Sequence, residues 1–138
     1  MALARADQYQ VTLFLDGQRV GVFDDSSGGA VKATEKKYRP GGMGDVITLG
    51  GLSQVDNIKL MRAFDRTRDA DLIRLFIDRV GKGRTTVVKQ PLDADKNAFG
   101  RALVYSGLLL TFEPSDVKAE SSDLDMYTIE VSTDGKIA

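Results

Sequence analysis

The sequence predicts a mainly β protein, a barrel or sandwich of antiparallel strands with one flanking α-helix over about residues 69–80. Three observations predict it. Most of the chain alternates apolar and polar residues with the period of two that a half-buried strand requires. Polar and glycine-rich breakers recur between these segments. Only one segment shows the three-and-four spacing of a helix. A length of 138 residues suits a single domain, residues 1–138, with one core.

The first element is a hairpin. Tyr9, Val11, Leu13 and Leu15 alternate with Gln8, Gln10, Thr12 and Phe14 up to Asp16-Gly17, a dipeptide that supplies the positive φ of a tight turn, and Arg19 to Phe23 returns. Asp24 to Gly29 reads as a polar breaker. Val31, Ala33, Glu35 and Lys37 then alternate with Ala30, Lys32, Thr34 and Lys36, a strand polar on both faces that suits an edge or an intersubunit surface better than a monomer core.

Residues 39–54 read as an extended glycine-rich loop, interrupted by Val46 to Leu49, with five of the fourteen glycines between Gly41 and Gly51. Ordering so much glycine is costly in backbone entropy. That favours an arm that becomes ordered on a neighbouring subunit, against the plainer reading of a long hairpin loop without a partner. Gly41-Gly42-Met43-Gly44-Asp45 lacks the Gly-Lys-Ser/Thr of a phosphate loop and no helical pattern follows it, which argues against nucleotide binding.

Val55 to Phe64 reads as the next strand, with Ile58, Leu60 and Arg62 on one face. In Thr67 to Gly81 the apolar residues fall at 72, 73, 76, 77 and 80, a helical stripe expected to lie on the sheet. Thr67 or Asp69 suits its cap, acidic residues its first turn, and Gly81 the position after its end. Arg84 to Leu92 is a strand, Asp93 to Asn97 a turn, and Phe99 to Phe112 a long strand bent or bulged at Gly107. Asp123 to Ser132 closes the series.

Composition excludes whole chemistries. The chain has no histidine, cysteine or tryptophan, so it has no histidine base, thiol nucleophile, Cys/His zinc site or Ser-His-Asp triad. The pairs Asp69/Asp71, Asp93/Asp95 and Asp123/Asp125 could hold a divalent cation or do acid and base work. Each also has a local explanation as a helix start, a turn or a strand start. No cofactor and no metal are expected. Charge is nearly balanced but uneven: residues 56–90 carry nine basic and five acidic side chains, and 91–138 four basic and nine acidic. Such polarity suits head-to-tail association of copies and gives no footprint for nucleic-acid binding. No apolar run approaches the about 18 to 20 residues of a membrane helix, and the start lacks the apolar segment of a secretory signal, so cytoplasmic folding is the expectation.

The order Lys36-Lys37-Tyr38-Arg39-Pro40-Gly41-Gly42, then Leu49-Gly50-Gly51-Leu52, then Val55-Asp56-Asn57-Ile58-Lys59-Leu60-Met61-Arg62-Ala63-Phe64, resembles the tail tube protein family of bacteriophages. There a strand ending in Arg-x-Gly-Gly leads into a loop closed by Pro-Gly or a similar pair. A strand of the form Asn-Ile-Thr-Leu-x-Arg, a single helix and hairpins follow. The resemblance runs over about residues 10–133, with Gly50-Gly51 where Pro-Gly is common and Lys59 where threonine is frequent.

The resemblance implies a structural, non-enzymatic virion protein, assembled in the host cytoplasm, whose hexameric rings stack into the hollow tail tube that conducts DNA. It implies tape measure, tail-tip or baseplate, and terminator proteins as partners, DNA that passes without specific binding, and no membrane insertion. The same fold serves the inner tubes of contractile injection machines, including the haemolysin-coregulated protein of type VI secretion. On this reading Arg39, Pro40, Gly41, Gly42, Met43, Gly44, Asp45, Gly50 and Gly51 contact an adjacent ring or subunit, and the helix covers the outer wall. Some of Glu113, Asp116, Glu120, Asp123, Asp125, Glu130 and Asp134 line the channel, where like charge keeps the cargo mobile. Two readings from other classes stand beside it. A β-sandwich ligand-binding module requires a surface cluster of aromatics, and a carboxylate-dependent hydrolase requires paired buried acids.

Overall fold

A computed structural model describes residues 3, 5, 7–114 and 125–134. The described residues form nine strands and one helix. These are β1 (Tyr9–Leu15), β2 (Gln18–Phe23), β3 (Asp25–Gly28), β4 (Val31–Tyr38), β5 (Ile47–Val55), β6 (Ile58–Ala63), α1 (Asp69–Arg79), β7 (Arg84–Pro91), β8 (Leu103–Glu113) and β9 (Met126–Val131). Seven strands make one antiparallel sheet in the order β2-β1-β7-β8-β9-β6-β3, and among the described residues β4 and β5 pair only with each other.

The expected alternation holds where one face is buried. Val11, Leu13 and Leu15 of β1, Ile58, Leu60 and Arg62 of β6, and Tyr127, Ile129 and Val131 of β9 all point into the core. Asp16 and Gly17 both take positive φ, 51° and 83°, and turn β1 into β2. β8 serves two partners, pairing with β7 from Leu103 to Leu108 and with β9 from Leu109 onward. Gly107 sits at that change, and a Cβ there would collide with the Ser132 carbonyl oxygen, so only glycine permits the approach.

The sheet curls without closing into a barrel. β2 and β3 are its two edges, yet Asp24 alone joins them, so the edges must meet at that corner. Asp24 ties the corner down by donating its N–H to the Met61 carbonyl (3.0 Å) and accepting the Ala63 N–H on its carboxylate (3.0 Å). Beyond it no ladder joins β2 to β6, and the Arg62 side chain fills the seam. Its guanidinium lies 4.5 Å from the Phe23 ring centroid and so close to Gly21 that a Cβ there would stand 2.7 Å from it.

Five expectations need correction. Asp24 to Gly29 is not merely a breaker, because Asp25–Gly28 pairs along β6 by its backbone although its side chains are exposed. The glycine-rich loop is shorter than residues 39–54, since Ile47–Val55 is a strand. Val55 to Phe64 is two strands, parted at Asp56 and Asn57. The helix rests on Asp69, Leu72, Leu75 and Phe76, while Ile77 and Val80 of the expected stripe stay exposed. The helix also lacks a side-chain cap. Instead the Asp65 carboxylate accepts the Thr67 and Arg68 N–H groups (2.9 and 3.1 Å) one turn earlier, and these bonds hold its carboxyl below the usual range.

Candidate functional site

Two groupings of side chains could carry function: a buried polar cluster under the helix and the hairpin β4–β5. In the first, Arg62 donates from Nε to the Tyr127 hydroxyl (2.7 Å) and from Nη2 to Asp69 Oδ1 (3.0 Å). Asp69, fully buried, also accepts from Arg68 Nε and Nη2 (3.1 and 2.9 Å) and from the Asp65 N–H (2.9 Å). Burial pushes the Asp69 carboxyl up, but the Arg68 and Asp65 hydrogen bonds and the two guanidinium charges together hold it below the usual carboxylate range. Burial pushes the Tyr127 phenol up to about 12 against the pull of Arg62. Phe76 and Phe112 stack at 5.9 Å, and both lie within 6.3 Å of Tyr127. The cluster seals the seam and leaves no room for a substrate.

The acidic pairs do not assemble a site. Asp69 is sealed while Asp71 is exposed. Asp93 Oδ1 accepts the N–H groups of Asp95 and Asn97 (both 2.9 Å), an ordinary turn. Asp123 lies outside the described residues, and among the described residues no three acidic side chains group at metal-ligating distance. Phe23, Phe76, Phe112 and Tyr127 cluster inside the core, not on a binding surface.

The expected channel acids are dispersed. Glu113 stands opposite Thr128, and Glu130, on the same face of β9, stands opposite Lys59 and accepts from Asn57 Nδ2 (3.2 Å). Asp134 pairs with Arg84 (2.7 Å), beside Asp16, which pairs with Arg79 (2.8 Å). The Arg79 hydrogen bond and the Arg84 N–H hold the Asp16 carboxyl low. Asp125 is exposed just before β9. Asp116 and Glu120, with Asp123, lie outside the described residues.

The hairpin brings the other predicted residues together. Arg39, Pro40, Gly41, Gly42, Met43, Gly44 and Asp45 form its tip; Gly50 and Gly51 sit midway along β5. Gly51 and Leu52 face the single residue Thr34 where the register shifts, and a Cβ on Gly51 would collide with the Thr34 hydroxyl. The glycine pair therefore has a local reason, a bulge. Tyr38 pairs with Ile47 and Lys36 with Leu49, so one face of the outer hairpin carries Lys36, Tyr38, Ile47 and Leu49, while Glu35, Lys37, Thr48 and Gly50 lie on the other. None of these side chains is buried: Leu52 is 86% exposed, Tyr38 56%, and Met43 fully. A lone two-stranded ribbon is marginally stable in water. Among the described residues nothing covers Tyr38, Ile47 or Leu49 on this face, whose one charge is Lys36.

No protein-family model and no curated protein matches the chain. Solved structures do. A chain in the sheath/tube terminator of PVC, an extracellular contractile injection system in its extended state, superposes with a TM-score of 0.78 at 17% identity, covering 100% of this chain and 96% of that one. A chain in the cap that terminates the tube of the anti-feeding prophage gives 0.77 at 17% identity, over 100% and 92%. A third, from the PVC sheath-tube complex, gives 0.73 at 18% identity, over 99% and 90%. At these identities the likeness is one of fold, and the chain has a tail-tube-like fold.

Proposed function

We propose that this protein is a structural, non-enzymatic subunit of a hollow tube, assembled through its hairpin arm. The observation that carries the reading is that arm, which exposes Tyr38, Ile47, Leu49 and Leu52 with no cover among the described residues. The tail-tube-like fold supports it. Subunits form hexameric rings, and rings stack. Arg39 to Asp45 with Gly50 and Gly51 reach an adjacent ring or subunit, the helix faces outward, and carboxylates such as Glu113 and Glu130 border the lumen. Tape measure, tip or baseplate, and terminator proteins meet the tube. In a phage virion the cargo is DNA, which carboxylates repel and leave mobile; in an injection system it is an effector. The settings of the three similar structures favour the injection system.

Negative-stain electron microscopy with light scattering tests this reading. Rings or tubes whose population rises with protein concentration are expected, and a monodisperse monomer at all salt and protein concentrations would contradict it. A second reading, a cap that closes a tube, draws on the two terminator structures. It predicts single rings that never elongate.

A further inference from the structure

Beside the first residue of β1 lies a cleft of about 460 Å³, walled by Tyr9, Pro91, Leu92, Ala94 and Phe99. It leaves Phe99 54% and Tyr9 36% exposed. On the other side of Tyr9 is a second cleft of about 330 Å³, bordered by Asp24, Asp25, Ser26 and Lys89. The Lys89 ammonium lies 5.1 Å from the Tyr9 ring centroid and braces the wall the two clefts share. An apolar recess thus adjoins an acid-bordered one.

The arm presents the counterpart. Its tip carries the fully exposed Met43, with Tyr38 and Ile47 paired just behind it. The adjoining cations are Lys36, Lys37 and Arg39, against the carboxylates of Asp45 and of Glu35, which pairs with Lys37 at 3.8 Å, and they leave the arm net basic. The two clefts and the 93–97 turn oppose these with Asp24, Asp25, Asp93 and Asp95, against Lys89 and Lys96. β4 alone extends about 26 Å at the usual rise of a strand, and every one of its residues is exposed, so the arm does not fold back on its own body.

We propose that the arm tip of one copy seats in this cleft of a second copy, Met43 entering beside Tyr9 and Phe99 while the basic residues of β4 approach the acid-bordered recess. The inference rests on the tube reading and names the receiving surface. The contact joins two different patches, so its repetition yields a ring or a stack and not an isolated dimer. Electrostatic complementarity sets the register, and the apolar tip supplies the holding contact.

The chain has no cysteine, which makes the test clean. Chains carrying Met43→Cys and chains carrying Ala94→Cys are mixed, co-assembled with unmodified protein and oxidised. A disulfide-linked dimer of the two variants is expected in the assembled fraction, with none from Met43→Cys and Ile77→Cys, whose site is on the exposed helix surface. Assemblies that form without the 43–94 cross-link, or that link Ala94→Cys to Ile77→Cys instead, would overturn the cleft assignment and leave the tube reading standing. Failure to assemble at all would overturn both. Phe99→Asp supplies a second arm: at least a tenfold rise in the concentration needed for assembly is expected with the melting temperature retained, and unchanged assembly would refute the proposal.

Discussion

At position 62 the chain buries a guanidinium to 2% exposure, and at position 52 it leaves a leucine 86% in water. Either choice alone is unfavourable in a monomer. Around Arg62 the expense of desolvation is offset within the chain by Asp69, Tyr127 and the Phe23 ring. Around Leu52 nothing among the described residues offsets it, and covering such a side chain is worth about 1.5–3 kcal/mol. Gly28 and Gly107 of the body meet backbone at once if given a Cβ, and Gly51 of the arm meets the Thr34 side chain, while Gly41, Gly42 and Gly50 face open space. On the proposed reading, the arm holds its apolar side chains for another copy of the chain.

Asp69→Ala leaves Arg62 buried and unpaired and is expected to lower unfolding free energy by about 3–5 kcal/mol, read from urea denaturation. A loss below about 1 kcal/mol would show that the cluster relaxes to water and does not seal the seam. The same cluster sets the pH window. Because Asp69 is held below the ordinary carboxyl range, its contribution is present above the unfolded pKa of about 3.9 and is lost as pH falls below it. Tyr127, pushed up to about 12, acts oppositely: its contribution is present below the unfolded value of about 10 and is lost as pH rises through the folded one. Urea midpoints should fall at both ends, with Asp69→Asn blunting the acid fall and Tyr127→Phe the alkaline one.

A pair of glycine substitutions sharpens the contrast. Gly107→Ala forces a Cβ onto the Ser132 carbonyl and should cost about 3 kcal/mol. Gly50→Ala meets nothing in its own chain and should change monomer stability by less than about 0.5 kcal/mol. Thermal melts of both variants give the answer, and a large loss at Gly50 would place the arm inside the folding unit.

What was legible in the sequence follows the same division. β1, β6 and β9 could be read because burying one face forces alternation, and Arg62 could be placed on the inner face although its partner could not be named. Asp69 resembled an ordinary first-turn acid, since nothing local marks a pairing with a strand residue seven positions back and a tyrosine 58 positions on. β3 was hidden because Asp-Ser-Ser-Gly pairs through its backbone alone. The arm was legible as unusual, from its polar strand and its glycines, but the pairing across Gly50 and Gly51 needed the Thr34 bulge. The cleft beside Tyr9 left no local signal, because Tyr9 and Phe99 are ninety residues apart.

Arm excision tests the central division most directly. The Asp56 N–H bonds to the Ala30 carbonyl at 2.9 Å, and Lys32 pairs with Gln54, so the arm leaves the body through two strands already in contact. Replacing residues 33–53 with Asn-Gly closes them in a two-residue turn. The measurement is a thermal melt of this variant alongside electron microscopy at the concentration where the full chain assembles. The division between body and arm predicts a cooperative melt within a few degrees of the full chain, about 1 kcal/mol or less, and no rings or tubes. A variant that unfolds, or one that still assembles, would contradict it.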